Sequence, residues 1–232
     1  MGTIAENIEE IQREKAQAAE RCGRNPEDIL LIAVTKTRSA EEINEAIRAG
    51  VTDIGENRVQ EIMDKYDKVL PVKWHMIGHL QTNKVKYIID KVSLIHSVDS
   101  LRLAEEIDRR AAQHGRTMDI LVEVNAAGDE AKFGVGPDSA EALISDILKN
   151  CENIRVRGLM TVAPYAENPE DVRPHFHRMR LLYDKIASEI VHPRLDFQYL
   201  SMGMSNDRNI AVEEGSTAIR VGTAIFGARN YR

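Results

Sequence analysis

The sequence predicts a closed (β/α)8 barrel, an α/β TIM barrel in one domain. Short apolar runs alternate with amphipathic segments along the whole chain, about eight such units occur, and they fit into only 232 residues. Strand–helix alternation signals a parallel sheet with helices on its outer faces. An open doubly wound sheet uses fewer strands. No linker or low-complexity tract divides the chain. The expectation is therefore one domain over residues 1–232, with an N-terminal helix at 1–23 ahead of a barrel at 29–227.

The elements follow in order. Ile4, Ile8 and Ile11 recur at helical spacing, and Gly23 is placed to end that helix. Asn25-Pro26 is a break. Residues 29–34 form a continuous apolar run, as a strand buried on both faces requires. Ser39 and Glu42 make a capping box that opens a helix ending at Gly50. Further strands are expected at 51–54, 72–77, 92–95, 119–124, 154–162, 197–200 and 218–221. Helices are expected between them at 58–66, 82–89, from a cap at Asp99 through Arg110, from Pro137 to Lys149, and at 173–190 and 206–214.

Composition narrows the function classes. Lys plus Arg number 31 and Asp plus Glu 37, giving a net charge of −6, which argues against a broad nucleic-acid-binding surface. No apolar run reaches the roughly 18 residues of a membrane span, and the charged N-terminus is no signal peptide. Cys22 and Cys151 match no metal or redox spacing. A cytoplasmic protein with reduced thiols is the expectation.

Barrel chemistry sits at the carboxyl ends of the strands. There, Lys36 closes the first apolar strand; a lysine desolvated at a barrel mouth is a nucleophile that condenses with carbonyls. The alternative is a snorkelling lysine that marks the strand's end. Ser201-Met202-Gly203 follows the seventh strand and Arg220-Val221-Gly222-Thr223 ends the eighth. Loops after the last two strands of such barrels often hold phosphate through backbone N–H groups and small hydroxyls, although one such loop alone is ordinary turn chemistry. Rival phosphate motifs fail: Gly134-Val135-Gly136 lacks a third glycine, and Ala228-Arg229 stands where a P-loop needs Lys-Ser/Thr. The histidines suit no metal site: His75 and His79 straddle a strand end, and His175 and His177 point to different faces.

One further segment, Trp74-His75-Met76-Ile77-Gly78-His79-Leu80-Gln81-Thr82-Asn83-Lys84, resembles the signature of the YggS/PROSC-type pyridoxal phosphate homeostasis proteins. Agreement extends from the first helix to the last strand and includes Ile54-Gly55-Glu56-Asn57, Lys132-Phe133-Gly134 and Gly158-Leu159-Met160-Thr161. The resemblance implies a pyridoxal 5′-phosphate (PLP) barrel of the alanine-racemase N-terminal type, fold-type III without the C-terminal β-domain. It makes Lys36 the Schiff-base lysine and sets Arg220 at the pyridine nitrogen. Gly222 and Thr223, with Ser201 and Gly203, become the phosphate turns, and Asn57 lies beside the cofactor. It implies a PLP carrier and buffer with at most weak racemase-like activity, a monomer or weak dimer whose partners include PLP-dependent client enzymes. The competing readings are a small PLP-dependent amino-acid racemase or lyase and an unrelated phosphosugar-binding barrel. A permanently cationic arginine at the ring nitrogen, and the absence of a second domain to supply a second base, favour the carrier.

Overall fold

The computed structural model describes residues 2–129, 132–164 and 166–228. Eight parallel strands close into a barrel in sequence order: β1 Leu30–Val34, β2 Asp53–Glu56, β3 Lys73–Met76, β4 Leu94–Val98, β5 Met118–Glu123, β6 Ile154–Met160, β7 Leu195–Ser201 and β8 Ala218–Val221. Helices α1 Ile4–Arg21, α2 Ala40–Arg48, α3 Val59–Lys65, α4 Leu101–Gln113, α5 Pro137–Asn150, α6 Arg173–Glu189, α7 Arg208–Glu213 and α8 Thr223–Phe226 accompany them. None of the described helices is long and apolar enough to cross a membrane.

The barrel agrees with the sequence reading, with local corrections. β2 and β4 begin two residues later than the apolar runs, at Asp53 and Leu94, so Glu56 and His96 belong to strands. The segment after β3 is a 3-10 helix, Thr82–Tyr87, rather than an α-helix. The N-cap of α4 is Ser100, not Asp99, and its side chain makes no capping bond. α8 was not foreseen; four residues carry too little periodicity to read. Elsewhere local chemistry acts as the sequence implies. Ser39 and Glu42 form the reciprocal capping box of α2, and Gly23 takes φ +70° beyond α1.

The main apolar core lies between barrel and helices, with Ile43, Ile62, Ile107, Ile144, Phe176 and Ile186 facing the strands. Inside the barrel, Leu94, Leu121 and Met160 form a separate small cluster. The rest of the interior is largely polar: Asp53, His75, His96, Ser201 and Arg220 are all buried. β7 and β8 share a single register pair, Ser201 with Ala218. Two hydroxyls bridge their junction: Thr217 Oγ1 accepts from Leu200 N–H and donates to Gln198 O, and Ser216 Oγ lies 2.8 Å from Met202 O. Gly158 of β6 approaches β7 so closely that a Cβ there would meet Tyr199 O at 1.9 Å, which only glycine permits. α1 is tied to the far end of the chain: Asn7 Nδ2 donates to Ile225 O at 2.8 Å, and Glu14 pairs with Arg208.

Candidate functional site

The seam between β8 and β1 builds the site. Leu30 to Ala33 register against Ala218 to Val221, so the turn after Val221 lies beside the turn after Val34. At this carboxyl-end face a cavity of about 480 Å³ opens, lined by Val34, Lys36, Lys132, Met204 to Asp207, Arg220, Gly222 and Thr223, among others. Three cations reach it from three elements: Lys36 after β1, Lys132 from the β5–α5 loop and Arg220 from β8. Lys132 Nζ is fixed by donating to Ala163 O at 2.8 Å. Among the described lining residues Asp207 is the one carboxylate, and its Oδ1 already accepts from Met204 N–H at 2.5 Å. The Ser205 and Thr223 hydroxyls join the lining, and Ser205 Oγ accepts from Ala224 N–H at 3.4 Å. Thr223 opens α8, so its N–H has no acceptor within the helix. A cavity of three basic side chains, two hydroxyls and a helix-opening N–H is chemistry for a phosphate-bearing ligand.

Arg220 is held from beneath. One guanidinium nitrogen donates to Ser201 Oγ at 2.5 Å and another to Thr161 O at 2.8 Å. Ser201 Oγ lies 3.1 Å from His96 Nδ1, His96 Nε2 2.9 Å from His75 Nδ1, and His75 Nε2 2.9 Å from Asp53 Oδ1. This chain climbs from the start of β2 to the barrel mouth. Burial, His75 and Arg220 hold the His96 imidazole well below its usual range, so it is neutral. Burial alone would raise the Asp53 carboxyl, but hydrogen bonds from His75 and Thr52 outweigh it and keep Asp53 below the usual range. Arg220 can only donate and the Asp53 carboxylate only accept. The neutral His96 imidazole donates through one ring nitrogen and accepts through the other, so it links Ser201 to His75 in a continuous file from Arg220 to Asp53. Burial lowers Arg220 to about 10, with Glu123 and Asp207 opposing, so it stays cationic at neutral pH.

Of the residues named from sequence, Lys36, Arg220, Gly222 and Thr223 line the one cavity. Ser201 and Gly203 do not; both are buried behind it. Gly203 takes φ +95° where a Cβ would meet the Ala211 Cβ at 2.5 Å. Asn57 lines a second cavity of about 520 Å³, with Arg58, His79, Gln81, Lys84 and Tyr87. It sits where Gly78 presses on it, since a Cβ on Gly78 would lie 2.4 Å from Asn57 O. Sequence reasoning missed Lys132 and Ser205 as lining residues, although Lys132 lies within a segment that carries the family resemblance.

Glu123, at the end of β5, was also missed. Burial raises its carboxyl to about 7, Asp99 adds to the effect and Arg220 opposes it. Its Oε2 is buried with no partner among the described residues. The folded state therefore binds more protons than the unfolded state between about 4.5 and about 7, so this group's effect is to make stability fall as pH rises through that window. Replacing Glu123 by Gln should remove that slope. Denaturant unfolding at pH 5 and pH 8 should show the parent losing roughly 3 kcal/mol more than the variant. Equal losses would mean that Glu123 ionises as readily in the folded protein as in the unfolded chain.

The alanine racemase N-terminal domain model matches residues 3–230. The pyridoxal phosphate homeostasis protein of Aquifex aeolicus is 46% identical over 226 residues, spanning 97% of this chain and 96% of that protein. The Escherichia coli K12 protein of the same name is 35% identical, spanning 100% and 99%. Among solved structures, PipY of Synechococcus elongatus with PLP bound superposes at a TM-score of 0.83, with 33% identity and 97% and 100% coverage. Alanine racemase of Clostridium difficile shares the fold at a TM-score of 0.69 and 16% identity, the match covering 94% of this chain and 59% of the racemase. Over essentially its full length, the chain belongs to the family of the pyridoxal phosphate homeostasis proteins, on the alanine racemase N-terminal domain fold.

Proposed function

We propose that this protein binds PLP in the cavity between β1 and β8 and serves as an intracellular PLP carrier and buffer in the cytoplasm. One observation carries the reading: Lys36, Lys132 and Arg220 converge with the Ser205 and Thr223 hydroxyls on one cavity, in a chain whose relative PipY binds PLP. PLP supplies an aldehyde that an amine can capture and a phosphate that is dianionic at neutral pH. The residues present fit both ends. Lys36 provides the amine. Gly222, Thr223 and Ser205 provide the phosphate cup, and Lys132 adds neutralising charge. Arg220 faces the ring from the barrel floor, with Ser201 holding its guanidinium. Gly203 shapes the turn behind the cup; Asn57 follows the end of β2 and lines the second cavity rather than this one.

The same residues make amino-acid turnover poor. A carboxylate beside a pyridine nitrogen would favour its protonation; the fixed cation of Arg220 opposes it. A racemase also needs an acid and a base on opposite faces of the reacting carbon, and one positioned base is worth ~10²–10⁴ in rate. The described lining offers lysines and one carboxylate already committed to Met204. A carrier that hands PLP to client enzymes, as a monomer or weak dimer, needs neither.

Borohydride reduction of the PLP-loaded protein, followed by peptide mass mapping, should place a pyridoxyl tag on the peptide holding Lys36. Lys36→Ala should lose the yellow colour yet stay folded. A tag confined to other lysines would reject the site. Racemisation of several L-amino acids by the loaded protein should run far below the usual enzyme range of about 1–10³ s⁻¹; turnover inside that range would favour the racemase reading. Gly222→Val tests the cup separately. A Cβ at Gly222 already meets Val34 Cβ at 3.2 Å and Val34 O at 3.3 Å, so valine would crowd the seam and the phosphate position together. PLP affinity should fall more than about tenfold, or roughly 1.4 kcal/mol, and an unchanged affinity would move the phosphate elsewhere.

A further inference from the structure

Lys36 stands between two threonines that are both tied to the next β/α unit. Thr35 Oγ1 donates to Glu56 Oε1 at 2.7 Å, and Thr35 O accepts from Lys65 Nζ at 3.0 Å. On the other side, Thr37 N–H donates to Glu61 Oε2 at 2.6 Å. Lys65 joins the two tethers, with its Nζ 2.7 Å from Glu56 Oε1 and 2.7 Å from Glu61 Oε2. Glu61 and Lys65 lie one turn apart on α3, while Glu56 ends β2, so the cluster belongs wholly to the unit after Lys36.

The turn these tethers hold is an unusual one. Among the described residues, Thr37 is the only non-glycine with a left-handed backbone, at φ +64°. A β-branched residue does not choose that conformation, because its branched Cβ crowds the backbone there. Such a conformation persists only where its surroundings over-determine it, and it recurs where a side chain must be aimed. Here the surroundings are the Glu61 carboxylate on one peptide and the Glu56–Lys65 pair on the other. The side chain between them is Lys36, which lines the cavity.

We infer that Glu61 and Lys65, with Glu56, are positioning residues for Lys36: they lock the β1–α2 turn in the left-handed form that aims the lysine amine into the cavity. The inference rests on the PLP reading for what Lys36 does there. It makes α3 part of the cofactor site although none of its residues lines that cavity. It also separates two properties. Filling of the cavity by ring and phosphate should depend on Lys132, Ser205, Arg220 and Thr223; capture of an aldehyde should depend additionally on the tethered turn.

The test compares the parent with Glu61→Ala and Lys65→Arg, using two ligands. PLP with borohydride reports capture at Lys36. Pyridoxine 5′-phosphate, which has no aldehyde, reports filling of the cavity alone. In Glu61→Ala, tagging of the Lys36 peptide at limiting PLP should fall at least about fivefold, as a misaimed reactive group does, while pyridoxine phosphate affinity stays within about twofold. Lys65→Arg, which keeps the charge and its donors, should stay near the parent. Hydrogen exchange of the Thr37 amide gives a readout that needs no cofactor: protected in the parent, it should exchange at least about tenfold faster in Glu61→Ala. Unchanged tagging would overturn the proposal. So would an equal loss of pyridoxine phosphate affinity, which marks a merely structural support, or a Thr37 amide as exposed in the parent as in the variant. If the parent instead carries its tag on another lysine, the PLP reading fails, and Thr37 exchange still decides whether the tether exists.

Discussion

Closure of the sheet between its last and first strands is the constraint on which the site depends. Lys36 and Gly222 are 186 positions apart in the chain, and only the β8–β1 ladder makes their turns neighbours. The register is set by the pairing of Ile32 with Arg220 and Ala33 with Val221. A one-residue slip would turn Arg220 out of the barrel and bring Val221 in. Closure is therefore defended from several directions. α1 bonds to the chain end through Asn7 and to the start of α7 through Glu14. Gly222 has no side chain to push against Val34, and the hydroxyls of Ser216 and Thr217 strengthen the sparse β7–β8 junction next door.

The barrel interior shows what that closure serves. Barrels of this kind are usually filled by layers of branched apolar side chains. Here Leu94, Leu121 and Met160 make only a small apolar cluster, and a hydrogen-bonded file from Asp53 to Arg220 takes much of the rest. Burying a guanidinium is costly unless its donors are satisfied and its charge is balanced. Ser201 and Thr161 satisfy donors, the Glu123 and Asp207 carboxylates oppose the cost of burial, and the Asp53 carboxylate ends the file across two imidazoles. Among the described residues no carboxylate is ion-paired with the guanidinium, and Arg220 still lines the cavity. A partly satisfied file would be worse than an apolar core, which is why His75 and His96 occupy interior strand positions instead of the surface.

Much of the architecture was legible because its signals are local. Alternating apolar runs, the Ser39–Glu42 box and Gly23 each act over a few residues, and each appears as read. Strand starts at β2 and β4 were misread for a physical reason. Val51 and Val92 are buried core residues that precede the ladder, so hydrophobicity does not mark where those strands begin. Lys36, Arg220, Gly222 and Thr223 were legible from strand-end position and family pattern together. Lys132, Ser205 and Glu123 were not, because their place at the mouth is fixed by loop paths and by closure between elements far apart in sequence. The tether on Lys36 was illegible for the same reason: no local pattern in Thr35-Lys36-Thr37 shows that residues 56, 61 and 65 will grip it.

The signature segment, residues 74–84, shows why a long motif need not mean a single site. Trp74 and Leu80 are buried in the outer core, with Trp74 packed at 5.8 Å from the Tyr66 ring. His75 is a link in the interior file. Gly78 lets the end of β3 touch the Asn57 backbone, where any side chain would collide. His79 stacks on Phe133 with ring centroids 3.8 Å apart, joining the turn after β3 to the loop that also carries Lys132. Gln81 and Lys84 reach the second cavity. Five different constraints thus fall on eleven consecutive residues, and each would fix its position for its own reason. Their density follows from geometry: a short strand that crosses the barrel wall must serve the outer core on one face and the polar interior on the other. Its end must also shape the mouth, so most of the segment is taken by those tasks.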